Sequence, residues 1–129
     1  AQQICLLGKG DVSEVQGGDL LARLVNLHGI DSARHYWWKS LKGARSLHYG
    51  DSVDGWRKQV DLLVAEMGSP VFMVVTDDAP LPWPVLKIED ASRLPALLGE
   101  VQFFDYFVFS NDGTRVFFDT HDNVLWWTP

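Results

Sequence analysis

The apolar positions of the chain change period several times, and each change marks an element. Leu20, Leu21, Leu24, Val25 and Leu27 recur at helical spacing after Gly17 and Gly18, with Asp19 as the candidate N-cap and Gly29 as the stop. Trp56, Val60, Leu63, Val64 and Met67 fall on one face of a second helix, which Ser52 or Asp54 can cap and Gly68 ends. The unbroken β-branched run from Pro70 to Thr76 predicts a central strand covered on both faces, with a helix on at least one of them. Asp77 to Pro84 is a proline-broken loop, and Val85 to Ile88 reads as the next strand. Ala91 to Leu98 is a short third helix. Pro95 is tolerated only in its first turn, so Ser92 is a better cap than Asp90.

The rest of the chain alternates as strands do. Phe103 to Phe109 runs into Ser110-Asn111-Asp112-Gly113, where Asp-Gly supplies the positive φ of a tight turn. Arg115 to Asp119 runs back, Thr120-His121-Asp122-Asn123 turns again, and Val124 to Trp127 makes the last strand. Between His35 and Tyr49 the aromatic residues predict two short strands joined near Lys42-Gly43. Ile4 to Leu7 is too brief to assign to strand or helix. With no repeat and no linker, the expected architecture is one α+β domain over residues 1–129. It has a mostly antiparallel sheet, about three helices packed on it, and a C-terminal three-strand meander.

Composition narrows the functional classes. The chain has 129 residues, 47% of them hydrophobic, one cysteine and a formal net charge of -6. No apolar stretch reaches the roughly 18 to 20 residues that a membrane-spanning helix needs. Cys5 alone builds neither a disulfide framework nor a cysteine zinc site, which points to a reducing compartment and a cytoplasmic location. The chain starts at Ala1 rather than methionine, so a trimmed start is expected. Acids and bases cancel over residues 1–68, and the excess of acid lies in residues 69–129, where only Lys87, Arg93 and Arg115 oppose it. Such a half repels phosphate backbones and attracts basic proteins, or simply keeps the domain dissolved.

The residues best suited to chemistry are Asp119, His121 and Asp122 at a strand-to-strand turn, where they could act as acid and base or hold a divalent ion. The competing reading is a structural turn, since Asp, Thr and Asn bond their own backbone in such places. His28, His35 and His48 have no ligand partner at metal-binding spacing, and no hydrolase, phosphate-loop or dinucleotide motif is present. Cys5 reads as a small buried residue. The expectation is therefore a protein that is not an enzyme and uses no cofactor. Arg34, Tyr36, Trp37, Trp38, Lys39, Lys42 and Arg45 mix rings with bases, as a nucleic-acid stacking platform would, but the overall charge argues against one. Protein binding uses such residues better, with Trp83 and Trp126 or Trp127 as further anchors. In a strand, one ring of that last pair points inward and the other outward.

From Phe104 to Phe109 and from Val116 to Trp126 the chain resembles a loose group of small bacterial proteins that includes the SMI1/KNR4-like immunity proteins and related domains. Their shared pattern is an aromatic strand, a hairpin, a His-Asp turn and a final apolar strand, and the likeness extends over residues 30–127. The resemblance implies an immunity protein of the kind that neutralises a toxin passed between neighbouring bacteria, including contact-dependent inhibition toxins. It implies no catalytic residue. The expected partner is a cognate toxin domain, basic if it is a nuclease, with no direct contact to nucleic acid or membrane. Asp77, Asp78, Glu89, Asp90, Asp112, Asp119 and Asp122 would meet its lysines and arginines, with Trp83 and Trp126 as anchors. The alternatives are a small metal-dependent or acid-base enzyme using Asp119, His121 and Asp122, and a structural module that self-associates.

Overall fold

In the computed structural model the described residues are 12–30, 37, 41–76, 85–100, 105–120 and 123–128. Among the described residues seven strands make one sheet: β1 Val12–Val15, β2 Arg45–His48, β3 Val71–Val75, β4 Val85–Ile88, β5 Tyr106–Ser110, β6 Val116–Asp119 and β7 Val124–Trp127. Three helices of the described residues pack on it: α1 Gly18–His28, α2 Val53–Met67 and α3 Leu94–Glu100, the last entered through a 3-10 turn at Ala91–Arg93. The strand order is β1-β4-β3-β5-β6-β7-β2, and every pairing is antiparallel. The fold is α+β, and β5, β6 and β7 form the expected meander.

Both faces of the sheet are covered, which explains the unbroken apolar runs at its centre. In β3, Val71 and Met73 face α2 and α3, while Phe72 and Val74 face α1. The same alternation in β5 sends Tyr106 and Val108 to the α2 side and Phe107 and Phe109 to the α1 side. The α1 side is built on rings: Phe72 stacks on Phe109 at 5.3 Å, Phe107 meets Phe118 at 4.9 Å, and Trp37 meets Phe107 at 5.6 Å. The α2 side is mainly aliphatic, with Val60, Leu63 and Val64 of the helix on Met73, Leu86 and Ile88 of the sheet.

The helix ends follow local chemistry, with two departures from expectation. Ser52 caps α2, its Oγ accepting from the Gly55 N–H at 3.1 Å, and Gly68 ends it at positive φ. For α1 the N-cap is Gly17, which makes no side-chain bond, and Asp19 lies inside the first turn rather than capping. Any side chain at Gly17 would collide with Val85, so the cap position is kept small by the packing of helix on strand. Asp90, not Ser92, caps the third helical segment, its Oδ1 accepting from the Ser92 N–H at 3.1 Å. Its carboxylate reaches that N–H because Asp90 is extended, and Pro95 then falls inside the first turn of α3.

β1 has no counterpart in the expected elements. Of the expected aromatic strand pair, β2 is the extended segment among the described residues; Trp37 is in a 3-10 turn and 3% exposed, which removes it from any stacking surface, and its neighbours lie outside the described residues. Ile4–Leu7 and the Asp77–Pro84 loop also lie outside them.

Candidate functional site

The register fixes where the acids of the second half go. Val71 pairs with Ile88 on one side and Ser110 on the other, so Glu89, Asp90 and Asp112 leave the sheet at the same end. Asp119 pairs with Tyr106 and leaves at the opposite end, together with Asp105. The acids expected to share one face are thus divided between the two ends of the sheet. Asp77, Asp78, Trp83, His121 and Asp122 lie outside the described residues.

At the first end the carboxylates are largely occupied. Asp112 closes the β5–β6 turn, accepting from Ser110 Oγ at 2.7 Å, Thr114 Oγ1 at 2.8 Å and the Thr114 N–H at 3.0 Å. The backbone and hydroxyl bonds from Thr114, with that from Ser110, hold its pKa down to about 2. Asp90 takes Ser92 Oγ at 2.7 Å as well as the Ser92 N–H, and the Ser92 bonds lower its pKa. Glu89 lies 3.5 Å from Lys87, and Glu66 accepts from Arg115 at 2.9 Å.

Asp119 was expected to face a partner, but it is 5% exposed. Strand alternation puts it in phase with Phe117, on the face that α2 covers. Tyr49, just after β2, donates to Oδ1 at 2.7 Å. Trp56 Nε1, in the first turns of α2, donates to Oδ2 at 2.9 Å, and Tyr106 Oη on β5 donates to the same oxygen at 2.8 Å. One carboxylate therefore ties the β2–α2 connection and the head of α2 to the middle of the sheet. Burial raises its pKa above the usual carboxylate range; the bonds from Tyr49, Tyr106 and Trp56 oppose that shift, and the charge of Asp105 adds to it. Burial likewise pushes the Tyr106 hydroxyl far above its usual value, and burial together with the bond to Asp119 does the same for Tyr49. Both tyrosines stay protonated throughout the physiological range.

This arrangement holds Asp119 inside a set of internal donors. Three of the roughly four acceptor positions of the carboxylate are thereby filled, two on Oδ2 and one on Oδ1. Among the described residues no three His, Cys, Asp or Glu side chains come together as a metal-holding group, and no helix is long and apolar enough to cross a membrane.

The outer side of the same knot is a surface. Tyr49 and Trp56 are half-buried: both pack against the core on the α2 side, and their polar tips bond to Asp119. Val53, at 72% the most exposed of the exposed large hydrophobic residues, stands one helical turn before Trp56. Asp51 and Asp54 are exposed beside them and make no ion pair among the described residues, while Arg57 further along α2 is paired with Asp61 at 3.2 Å. Asn123 binds the loop from the other side: its side chain donates to the Gly50 carbonyl at 3.0 Å, and its carbonyl accepts from the Tyr49 N–H at 3.1 Å. Sequence reasoning named none of Tyr49, Val53 and Trp56 as binding residues.

Trp126 and Trp127 do not divide into one inward and one outward ring. Both are half-buried, Trp126 against the α1 side and Trp127 against the α2 side, because both faces are covered. Trp126 sits opposite Phe118 and Ser46, at the edge of the aromatic layer. Compared with protein-family models, with curated proteins and with solved structures, the chain matches none of them.

Proposed function

We propose that this domain is a stoichiometric protein binder of the immunity type, acting in the cytoplasm by occluding the surface of a toxin domain. The observation that supports the reading best is the corner between β2 and α2. It combines two amphipathic rings fixed from inside by Asp119, an exposed valine, and the carboxylates Asp51 and Asp54, which make no ion pair among the described residues. Rings whose tips are already bonded lose little freedom on contact, which favours affinity at a given area. Carboxylates at the rim favour encounter with a basic surface such as that of a nuclease. This version of the reading moves the weight from a broad acidic face to a compact apolar anchor with an acidic rim.

The test is co-production of the full chain with an inactivated toxin domain encoded beside it. A one-to-one complex that survives size-exclusion chromatography, together with growth rescue from the active toxin, is the expected result. Anchoring by the rings predicts a complex that persists at high salt, with salt slowing its formation more than its dissociation. Absence of a complex with that domain would reject the reading.

A further inference from the structure

Among the described residues β2 is a terminal strand of the sheet, and its register shows which of its backbone groups face away from β7. The Tyr49 N–H donates to the Asn123 carbonyl at 3.1 Å, one pair beyond His48 and Val124, so Tyr49, Leu47 and Arg45 turn their backbone groups toward β7. The far side of β7 agrees. There the Thr120 N–H donates to the Val124 carbonyl, which turns Val124 and Trp126 toward β6 and leaves Leu125 and Trp127 for β2. Ser46 and His48 therefore aim their N–H and C=O groups outward, both residues are exposed, and the strand contains no proline and no bulge to blunt it. We propose that β2 is a self-association edge: a second copy of this chain lays its own β2 antiparallel against it, about a two-fold axis at Leu47, and the two sheets become one.

A two-fold axis at Leu47 uses every outward group of the strand, because Ser46 exchanges both bonds with the second copy's His48 and His48 does the same with its Ser46. An axis at Ser46 or at His48 leaves some of these groups without a mate in β2. Charge favours a second copy as the occupant. Lys42 and Arg45 lie at the start of β2, and Asp51 and Asp54 lie just past its end; all are exposed, and none makes an ion pair among the described residues. Antiparallel pairing sets the basic start of each strand beside the acidic end of the other, and the two-fold repeats the match. Leu47 and Arg45 lie on the α2 side, in line with Leu125 and Trp127. There Leu47 meets its own copy across the axis, and Arg45 meets the second copy's Tyr49 ring. On the other side Ser46 stands against His48, so no like charges are opposed in the paired strands. The edge is short, which makes the dimer weak and reversible. The inference concerns the chain alone and does not rest on the proposed function.

Sedimentation equilibrium of the full chain at rising concentration, up to about 1 mM, should show a reversible monomer–dimer equilibrium. Ser46→Pro removes an outward donor at an edge position that accepts proline, and should weaken the dimer by about tenfold or more while the thermal midpoint stays near that of the parent. Cysteines placed in a Cys5→Ser background read the register. Leu47→Cys brings two sulfurs together across the axis in a non-hydrogen-bonded pair, within disulfide reach, whereas Ser46→Cys faces His48 and not itself. Mild oxidation should therefore cross-link the Leu47→Cys chain about tenfold or more faster than the Ser46→Cys chain. A chain that is monomeric at every concentration, equal cross-linking at the two positions, or a dimer of unchanged strength in Ser46→Pro would each overturn the proposal. So would a monomer whose Ser46 and His48 amides exchange slowly with solvent, since the edge would then be filled from within the chain.

Discussion

Tyr106 and Asp119 face each other across β5 and β6, and the tyrosine hydroxyl donates to Oδ2 at 2.8 Å on the covered side of the sheet. Their pairing makes the end of β6 a polar point inside an apolar layer, tolerable only because Tyr49 and Trp56 complete it. Asp119→Ala would leave three donors facing a void, and we expect it to lower unfolding free energy by about 3–5 kcal/mol. Asp119→Asn can keep every bond, its amide oxygen accepting from Trp56 and Tyr106 and its amide nitrogen donating to Tyr49. It should stay within about 1 kcal/mol of the parent at pH 7. Urea denaturation with fluorescence detection separates the two.

The pH dependence of stability should carry two opposite signatures. Asp119 has a raised folded-state pKa, so its contribution is full below the ordinary carboxylate value and declines as pH rises through the folded value. Asp112 has a pKa lowered to about 2, so its contribution is present above the ordinary value of 3.8 and is lost as pH falls toward 2. Denaturation midpoints of Asp119→Asn relative to the parent should therefore rise with increasing pH. Those of Asp112→Asn should converge on the parent as pH falls from about 4 to 2. The reverse order in either variant would contradict the assignment.

Helix α1 enters the sheet through the contact of Gly17 with Val85. Gly17→Ala is expected to cost about 1–3 kcal/mol by overpacking, although its backbone there suits any residue. Val85→Ala alone opens a cavity and also destabilises. The double variant should be more stable than the sum of the two changes predicts, with a coupling of about 1 kcal/mol in a double-mutant cycle.

Val53 makes little of the hydrophobic interior, so Val53→Lys should change stability by no more than about 0.5 kcal/mol. On the proposed function it introduces a positive charge into a surface that meets a basic toxin. Binding should weaken by about tenfold or more, measured by calorimetry with the inactivated toxin domain.

Much of this fold is legible in its sequence, because helices α1 and α2 and strands β3, β5, β6 and β7 carry strong periodicity and good stop signals. β1 is not legible: Val12-Ser13-Glu14-Val15 has two apolar residues, and among the described residues it pairs on one side, with β4. Asp119 was half legible. Its place beside a turn suggested a surface acid, yet its phase with Phe117 already assigned it to the covered face. Its three donors come from positions 49, 56 and 106, and no local pattern reports such a gathering. The acids defeated a charge argument for the same reason, since pairing register, not order along the chain, decides which end of the sheet each one leaves.

β2 is formed early in the chain, yet its described neighbour in the sheet is β7, near the other terminus. Until β7 is in place, Arg45 to His48 have no ladder to join among the described residues. The β2–β7 pairing joins segments far apart along the chain, the kind of long-range contact that slows folding by the usual relation between topology and rate. A ribosome-bound chain released too soon would expose this segment to whatever extended polypeptide happens to be nearby.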